Sequence, residues 1–325
     1  MLKKDKSKTK IETIVGKILQ LLEKEENNER REVVFNTFKQ FLLQEENINL
    51  ELIYQLCVMI YEEMPALKIT DLEQAIVDSK SPKYNYLYAR DICIPIADFN
   101  AHSEVVLSSK DPEYNLLFQM LPQISCKNIA SNKHLGVIID LNDAKRCVRY
   151  IEKAGISSGT AVKFFKVAIE TNDAELCFAV YNSGLIKSER TLSEAAMQDD
   201  DGEFNYRFAL EGQKFDRKGH GEAVIRSKNL KFNYYFAKNI VGADIKGHAQ
   251  VIIDSKDKEM NYKFANDVVG ADVQAHYQAV KDNINDVEKG NYDYLFEQDK
   301  EISDVKQLIL SLNCEKPKRK KNGEI

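Results

Sequence analysis

The sequence predicts an all-α protein, an α-solenoid of about eight stacked helical hairpins of about 28–32 residues behind an N-terminal helical cap. Three observations predict it: one phrase recurs along the chain, helix-capping residues recur with it, and helix breakers are few. Only 14 Gly and 6 Pro occur in 325 residues, which disfavours a loop-rich sandwich or barrel. The length itself exceeds what one compact core usually holds.

The phrase is clearest when Ala223–Ala237 is set beside Val251–Ala265. Anchored on its asparagine, it falls at Asn85, Asn115, Asn205, Asn233 and Asn261. Cys147 and Cys177 fill the gap and Asp293 ends the series, in steps of 30, 32, 30, 28, 28, 28 and 32. A period near thirty marks a stacked array in which each unit contacts its neighbours.

Taken in order, residues 1–10 carry a net charge of +4 and read as a disordered basic N-terminus. Residues 11–70 read as the cap. A helix from Lys10 to Lys24 aligns Ile11, Ile14, Val15, Ile18, Leu19 and Leu22. A second at 29–45 aligns Val33, Val34, Phe38, Phe41 and Leu42, and a third is expected at 49–63. None carries the asparagine phrase, so they are expected to cover the first apolar surface of the array.

Residues 71–300 form the repeats. Each second helix is expected to start four places before its anchor, at Ser81, Asp111, Asp143, Asp173, Asp201, Asn229 and Asp257, whose side chains accept from first-turn N–H groups. Pro82 and Pro112 take the first helical position, where a missing donor costs nothing. Lys289 breaks the pattern. Glycines mark the stops (Gly155, Gly184, Gly212, Gly242, Gly270), and Asp98, Asp216, Asp244 and Asp272 announce the next first helix. Large apolar side chains one before and three after the anchor make an i, i+4 stripe. Triplets such as Val105–Leu107 and Val251–Ile253 supply the facing helix. One hairpin cannot bury both flanks, so stability requires neighbours. Residues 301–314 read as a C-terminal capping helix and 315–325, net +3, as a disordered basic tail.

The net charge of −5 leaves −12 on the body once both tails are set aside. Such a body repels phosphate over its mean surface. The six cysteines show no short metal spacing and read as reduced, buried thiols. No apolar stretch is long enough to span a bilayer and no export signal is visible, so the expected location is cytoplasmic.

Two columns attract attention. His102, His134, His220, His248 and His276 share one repeat position, and four follow an Asp at i−4, a pair that could ligate a metal. Ligand atoms must lie roughly 2.0–2.1 Å from zinc, whereas packed helices are about 8–10 Å apart. A ladder of parallel imidazoles therefore does not converge on one ion. The alternative is an Asp cap with a His one turn on, bonded to a neighbouring hairpin. The asparagine column reads as a ladder of buried amides that sets register, with Cys147 and Cys177 marking a small interior slot.

A candidate binding ridge comprises Arg90, Arg149, Arg207, Lys238 and Lys263 on the second helices. Tyr86, Tyr206, Tyr234 and Tyr262 lie one turn-direction away, since adjacent helical positions point about 100° apart. There is no P-loop, dinucleotide turn, HExxH or GxSxG. No catalytic residue, cofactor or metal site is expected.

Val-Gly-Ala-Asp-Ile-Lys-Gly-His (241–248), Ser-Lys-Asp-Pro-Glu-Tyr-Asn (109–115) and Phe-Asn-Tyr-Tyr-Phe-Ala (232–237) resemble uncharacterised helical-repeat proteins of low-GC bacteria and their phages. Their units are similar to HEAT or tetratricopeptide hairpins. The likeness covers roughly residues 72–300 and decays across 131–198. It implies a non-catalytic scaffold that grips a large protein partner, such as a regulator or inhibitor of a host or defence complex. The alternative is a nucleic-acid or ribonucleoprotein binder using the ridge and the basic ends.

Overall fold

The computed structural model of the chain describes residues 6–25, 27–44, 49–92, 98–122, 133–211 and 214–297. Among these every regular element is a helix, and the helices pair in sequence as the hairpins of an α-solenoid. Gly212, the capping helix at 301–314 and the tail at 315–325 lie outside the described residues, as do Cys93, Cys126 and Cys314. No described helix is long and apolar enough to cross a membrane. The chain divides into two compact units, Met1–Val167 and Ala168–Ile325.

The first unit begins with α1 (Lys6–Glu23), α2 (Asn28–Gln44) and α3 (Leu50–Glu63). The first of these starts a turn before the expected Lys10. Leu22, Phe35, Ile53, Leu56 and Ile60 of these helices are buried with Leu72, Ile76 and Tyr88 of the hairpin α4 (Thr70–Asp78) and α5 (Pro82–Asp91). The cap and the first repeat therefore share one core. Two more hairpins follow: α6 (Phe99–Ser109) with α7 (Pro112–Gln119), and α8 (Lys133–Asp140) with α9 (Ala144–Ala154).

Helix α10 (Ser158–Thr171) carries the division between the units and is followed by α11 (Ala174–Asn182). The second unit continues with α12 (Glu189–Ala196) and α13 (Gly202–Leu210), then α14 (Arg217–Ser227) and α15 (Leu230–Asn239). It ends with α16 (Ile245–Ser255) and α17 (Lys258–Asp267), then α18 (Val273–Val280) and a last helix, α19, at 286–297.

Caps fix the hairpin ends. Asp98, Asp216, Asp244 and Asp272 accept from the N–H groups of Ala101, Gly219, Gly247 and Ala275 at 3.0–3.1 Å. Asp111, Asp143, Asp173, Asp201, Asn229 and Asp257 do the same for the second helices. Ser81 holds the cap position but its side chain makes no such bond. The last helix starts before Lys289, because Asn285 and Glu288 cap one another reciprocally at 2.9 Å, a capping box. The glycine before His248 has a packing reason: a Cβ at Gly247 would stand 2.7 Å from Cδ1 of Ile225 on the preceding first helix.

The tight turn inside six of the hairpins uses a device the sequence concealed. Lys80, Lys110, Asn142, Asn172, Lys228 and Lys256 are left-handed, with φ between 51° and 55°. Before four of them, Ser79, Ser109, Ser227 and Ser255 donate to the carbonyls of Ile76, Val106, Val224 and Ile252 at 2.6–2.7 Å. The same serine oxygens accept from the N–H two residues on. A left-handed non-glycine costs about 1–2 kcal/mol, against about 0.5–1 kcal/mol of extra chain entropy for glycine. Lys256→Gly is therefore expected to raise stability by about 0.5–1 kcal/mol, read as a higher urea midpoint; an unchanged or lower midpoint would show that the Lys256 side chain contributes more than its backbone strain.

Candidate interaction surface

The asparagine and histidine columns meet. His102 Nδ1 lies 2.7 Å from Asn85 Oδ1, and the pairs His134–Asn115, His220–Asn205, His248–Asn233 and His276–Asn261 repeat this at 2.7–2.8 Å. In each the asparagine belongs to one hairpin and the histidine to the first helix of the next. The Asn orientation is set by its amide: Nδ2 donates to the carbonyl nine residues back and to that of the cap residue, as from Asn233 to Val224 and Asn229, both at 2.9 Å. With both amide hydrogens used, Oδ1 can only accept, so the histidine carries its proton on Nδ1. The asparagines form a ladder of buried amides, each bonded into the adjoining hairpin through its histidine. Each amide closes its own hairpin and clasps the next.

The clasp is dry. All ten residues are buried, and each imidazole packs on the aromatic ring three places after the anchor, at centroid distances of 4.6–5.3 Å. Burial pushes His134, His220, His248 and His276 down to about pKa 4, so they are neutral at pH 7. The Asp at i−4 is spent on its cap. Among the described residues no group of three or more His, Cys, Asp or Glu could hold a metal.

Where the anchor is cysteine, the histidine is also replaced. Cys147 is followed in the next first helix by Phe164, which packs on Tyr150 at 5.8 Å, and Cys177 is followed by Leu192. Both replacements are buried. Cys177 Sγ keeps the internal bond, donating to Ala168 O at 3.6 Å. Burial pushes its thiol up to about pKa 12, which leaves it protonated and a poor nucleophile.

The residue after the histidine position faces the next imidazole. Ser103 and Ser193 stand 2.9 and 2.7 Å from Nε2 of His134 and His220; Glu73 Oε1 lies 3.4 Å from Nε2 of His102, which has no hydrogen-bond partner. Gly221 and Ala249 occupy this place before His248 and His276, whose buried Nε2 atoms have no hydrogen-bond partner. Ala249→Ser would supply the missing donor to His276, an expected gain of about 1 kcal/mol. A denaturation midpoint below wild type would contradict the proposed place of that hydroxyl.

With the columns inside, the second helices carry the candidate basic ridge on their exposed side. Every residue of the basic ridge has an acidic partner. Arg90 bonds Asp91 at 2.6 Å, Arg149 bonds Glu113 at 2.7 Å, Lys238 bonds Asp267 at 2.7 Å, Lys263 bonds Glu259 at 2.5 Å, and Arg207 pairs with Glu203. Within each unit these cations are thus ion-paired. Hydrogen bonds from Lys238 and Tyr234 hold Asp267 down at about pKa 2. Exposed pairs of this kind contribute at most about 1 kcal/mol each, less than the loss of a buried clasp.

Aromatic rings lie between these charges in the second unit. Tyr206 is 6.2 Å from Phe232 and 6.1 Å from Tyr235 by ring centroid, across adjacent second helices. Arg207 sits 4.9 Å over Phe204, and Lys231 sits 5.2 Å over Phe232. Tyr234 bonds Asp267 of the following hairpin, and Asn239 donates to Tyr206 at 2.7 Å. Phe204, Tyr206, Phe232 and Tyr235 are all half-buried. Comparison with protein-family models, curated proteins and solved structures found no match.

Proposed function

We propose that the chain is a non-catalytic scaffold that grips a large protein through the outer faces of its second helices. The observation that carries this reading is the row of half-buried rings in the second unit, Phe204, Tyr206, Phe232 and Tyr235, set on helices that the clasps hold in register. Such rings bring large contact area at little entropy cost, and aromatic residues with arginine dominate protein interface energetics. The ion-paired ridge favours this reading over a nucleic-acid one: a phosphate would have to displace carboxylates already bonded to Arg90, Arg149, Arg207, Lys238 and Lys263.

The test is affinity capture from the native host after nuclease treatment, at roughly 50 and 200 mM salt, with wild type and a Phe232→Ala/Tyr235→Ala variant. A protein retained by wild type at both salts and released by the variant is the expected result. Phosphate-driven binding falls steeply over that salt range. Retention of nucleic acid alone, with binding lost at the higher salt, would replace this reading with the nucleic-acid one.

A further inference from the structure

We propose that the second unit holds a binding site, built around Arg217, for a small carboxylate carried on a short branched apolar group. A cavity of about 230 Å³ lies beside α14. It is walled by Arg217, Gly221 and Ile225 of that helix, by Phe236 of α15, and by Ile240 and Gly242 of the turn that leads to α16. Its volume is below the range of roughly 300–1,000 Å³ for drug-sized ligands, so the molecule that fits is a small one.

The cavity stands where α14 departs from its repeat at two places, i and i+4, which share one helix face. Three before the histidine position, Phe99, Ala161 and Val273 are buried and Ile245 is half-buried, while Glu189 bonds Lys214 at 2.9 Å. Helix α14 puts Arg217 there. One after the histidine position, Ser103, Ser193 and Ala249 carry side chains. Helix α14 has Gly221, where a Cβ would stand 3.1 Å from Cε1 of Phe236. Stacking is served at the first place by hydrocarbon, as Ile245 and Val273 supply it in the hairpins that follow, so it gives no reason for an arginine.

Arg217 is also the one arginine among the described residues with no hydrogen-bond or ion-pair partner. Arg31 donates to the carbonyls of Leu22 and Glu25, and the others bond carboxylates. Of the Arg217 guanidinium nitrogens only Nε is buried, so the terminal Nη pair is open to an incoming group. The other charges of the wall are committed. Lys218 pairs with Glu222 at 3.8 Å, and Asp244 accepts from Gly247 N at 3.0 Å. What remains is one guanidinium, whose planar fork matches a carboxylate. Ile225, Phe236 and Ile240 offer apolar contact to the rest of the ligand, and Val241, between the wall residues Ile240 and Gly242, is 86% exposed.

The test uses the full chain with two probes of one shape, 4-methylpentanoate and its neutral amide, 4-methylpentanamide. Binding is measured by ligand-observed NMR titration at low ionic strength, where screening is weak, for wild type, Arg217→Gln and Arg217→Ile. The acid is expected to bind wild type saturably and both variants about 10-fold more weakly, the worth of one charge-assisted contact at a part-exposed place. The amide should bind all three proteins alike. Arg217→Ile puts in the side chain that Ile245 carries at the equivalent place, so it should fold, and Arg217→Gln keeps a polar side chain without the charge. No saturable binding of 4-methylpentanoate to wild type, or equal affinity for wild type and Arg217→Gln, would overturn the proposal.

Discussion

Replacing Asn233 by alanine is expected to lower the stability of the second unit by about 3–4 kcal/mol. Its amide donates to the carbonyls of Val224 and Asn229, and its carbonyl oxygen receives the Nδ1 proton of His248. Each buried polar group left without a partner costs about 1–3 kcal/mol. The loss at Val224 is blunted because its oxygen keeps the Ser227 hydroxyl at 2.6 Å. The largest share of the cost is therefore the stranded imidazole N–H. By comparison, removing the exposed Lys263–Glu259 pair should cost no more than about 0.5 kcal/mol.

The chain carries its own repair for such a loss. Cysteine anchors are followed by Phe164 or Leu192 in place of histidine, so both partners of the clasp turn apolar together. Removing both members of a buried polar pair costs far less than removing one. Asn233→Cys/His248→Leu is thus expected to be more stable than the sum of the single variants by about 1.5–2 kcal/mol. Urea unfolding of the four proteins closes the cycle. Additivity within about 0.5 kcal/mol would mean that the two columns are not energetically coupled.

Acidification should expose the same clasps. Burial places His134, His220, His248 and His276 at about pKa 4 in the folded chain, against about 6.5 for an unfolded histidine. Between these values the unfolded chain binds more protons. Stability is therefore full above about pH 6.5 and declines as the pH falls towards 4, by about 1.4 kcal/mol per pH unit for each histidine. His220, His248 and His276 together would steepen the second unit's dependence to about 4 kcal/mol per unit. The carboxylate of Asp267, held near pKa 2, loses its advantage only as the pH falls below about 4, so the histidines dominate the window from 6.5 to 4.5. Denaturation midpoints across that window should fall steeply for wild type. Asn233→Cys/His248→Leu should fall less steeply by about 1.4 kcal/mol per unit. A flat wild-type profile would show that the imidazoles are not buried as neutral groups.

The hairpins, their caps and their period were legible because each depends on local chemistry: Asp111 and Asp244 cap their own helices, and Gly242 and Gly270 sit at positive φ after theirs. The clasp was only half legible. Asn85 and His102 each stood out as a column, but their pairing joins residues 17 apart in different hairpins, and equal recurrence does not say what touches what. The usable signal was joint replacement, with Cys147 and Phe164, then Cys177 and Leu192, changing character together. Two ion pairs of the basic ridge could not be read along one helix, because another helix brings Asp267 to Lys238 and Glu113 to Arg149. The left-handed Lys228 and Lys256 were hidden for a different reason: lysine is not a residue that advertises positive φ.

The most direct test of the clasp is the protonation of the imidazole rings, read from long-range ¹H–¹⁵N NMR spectra of the full chain at pH 7. His134, His220, His248 and His276 should all appear as Nδ1–H tautomers whose ring protons exchange slowly with solvent. Rings bearing the proton on Nε2 and exchanging freely would contradict hairpins held together by asparagine and histidine.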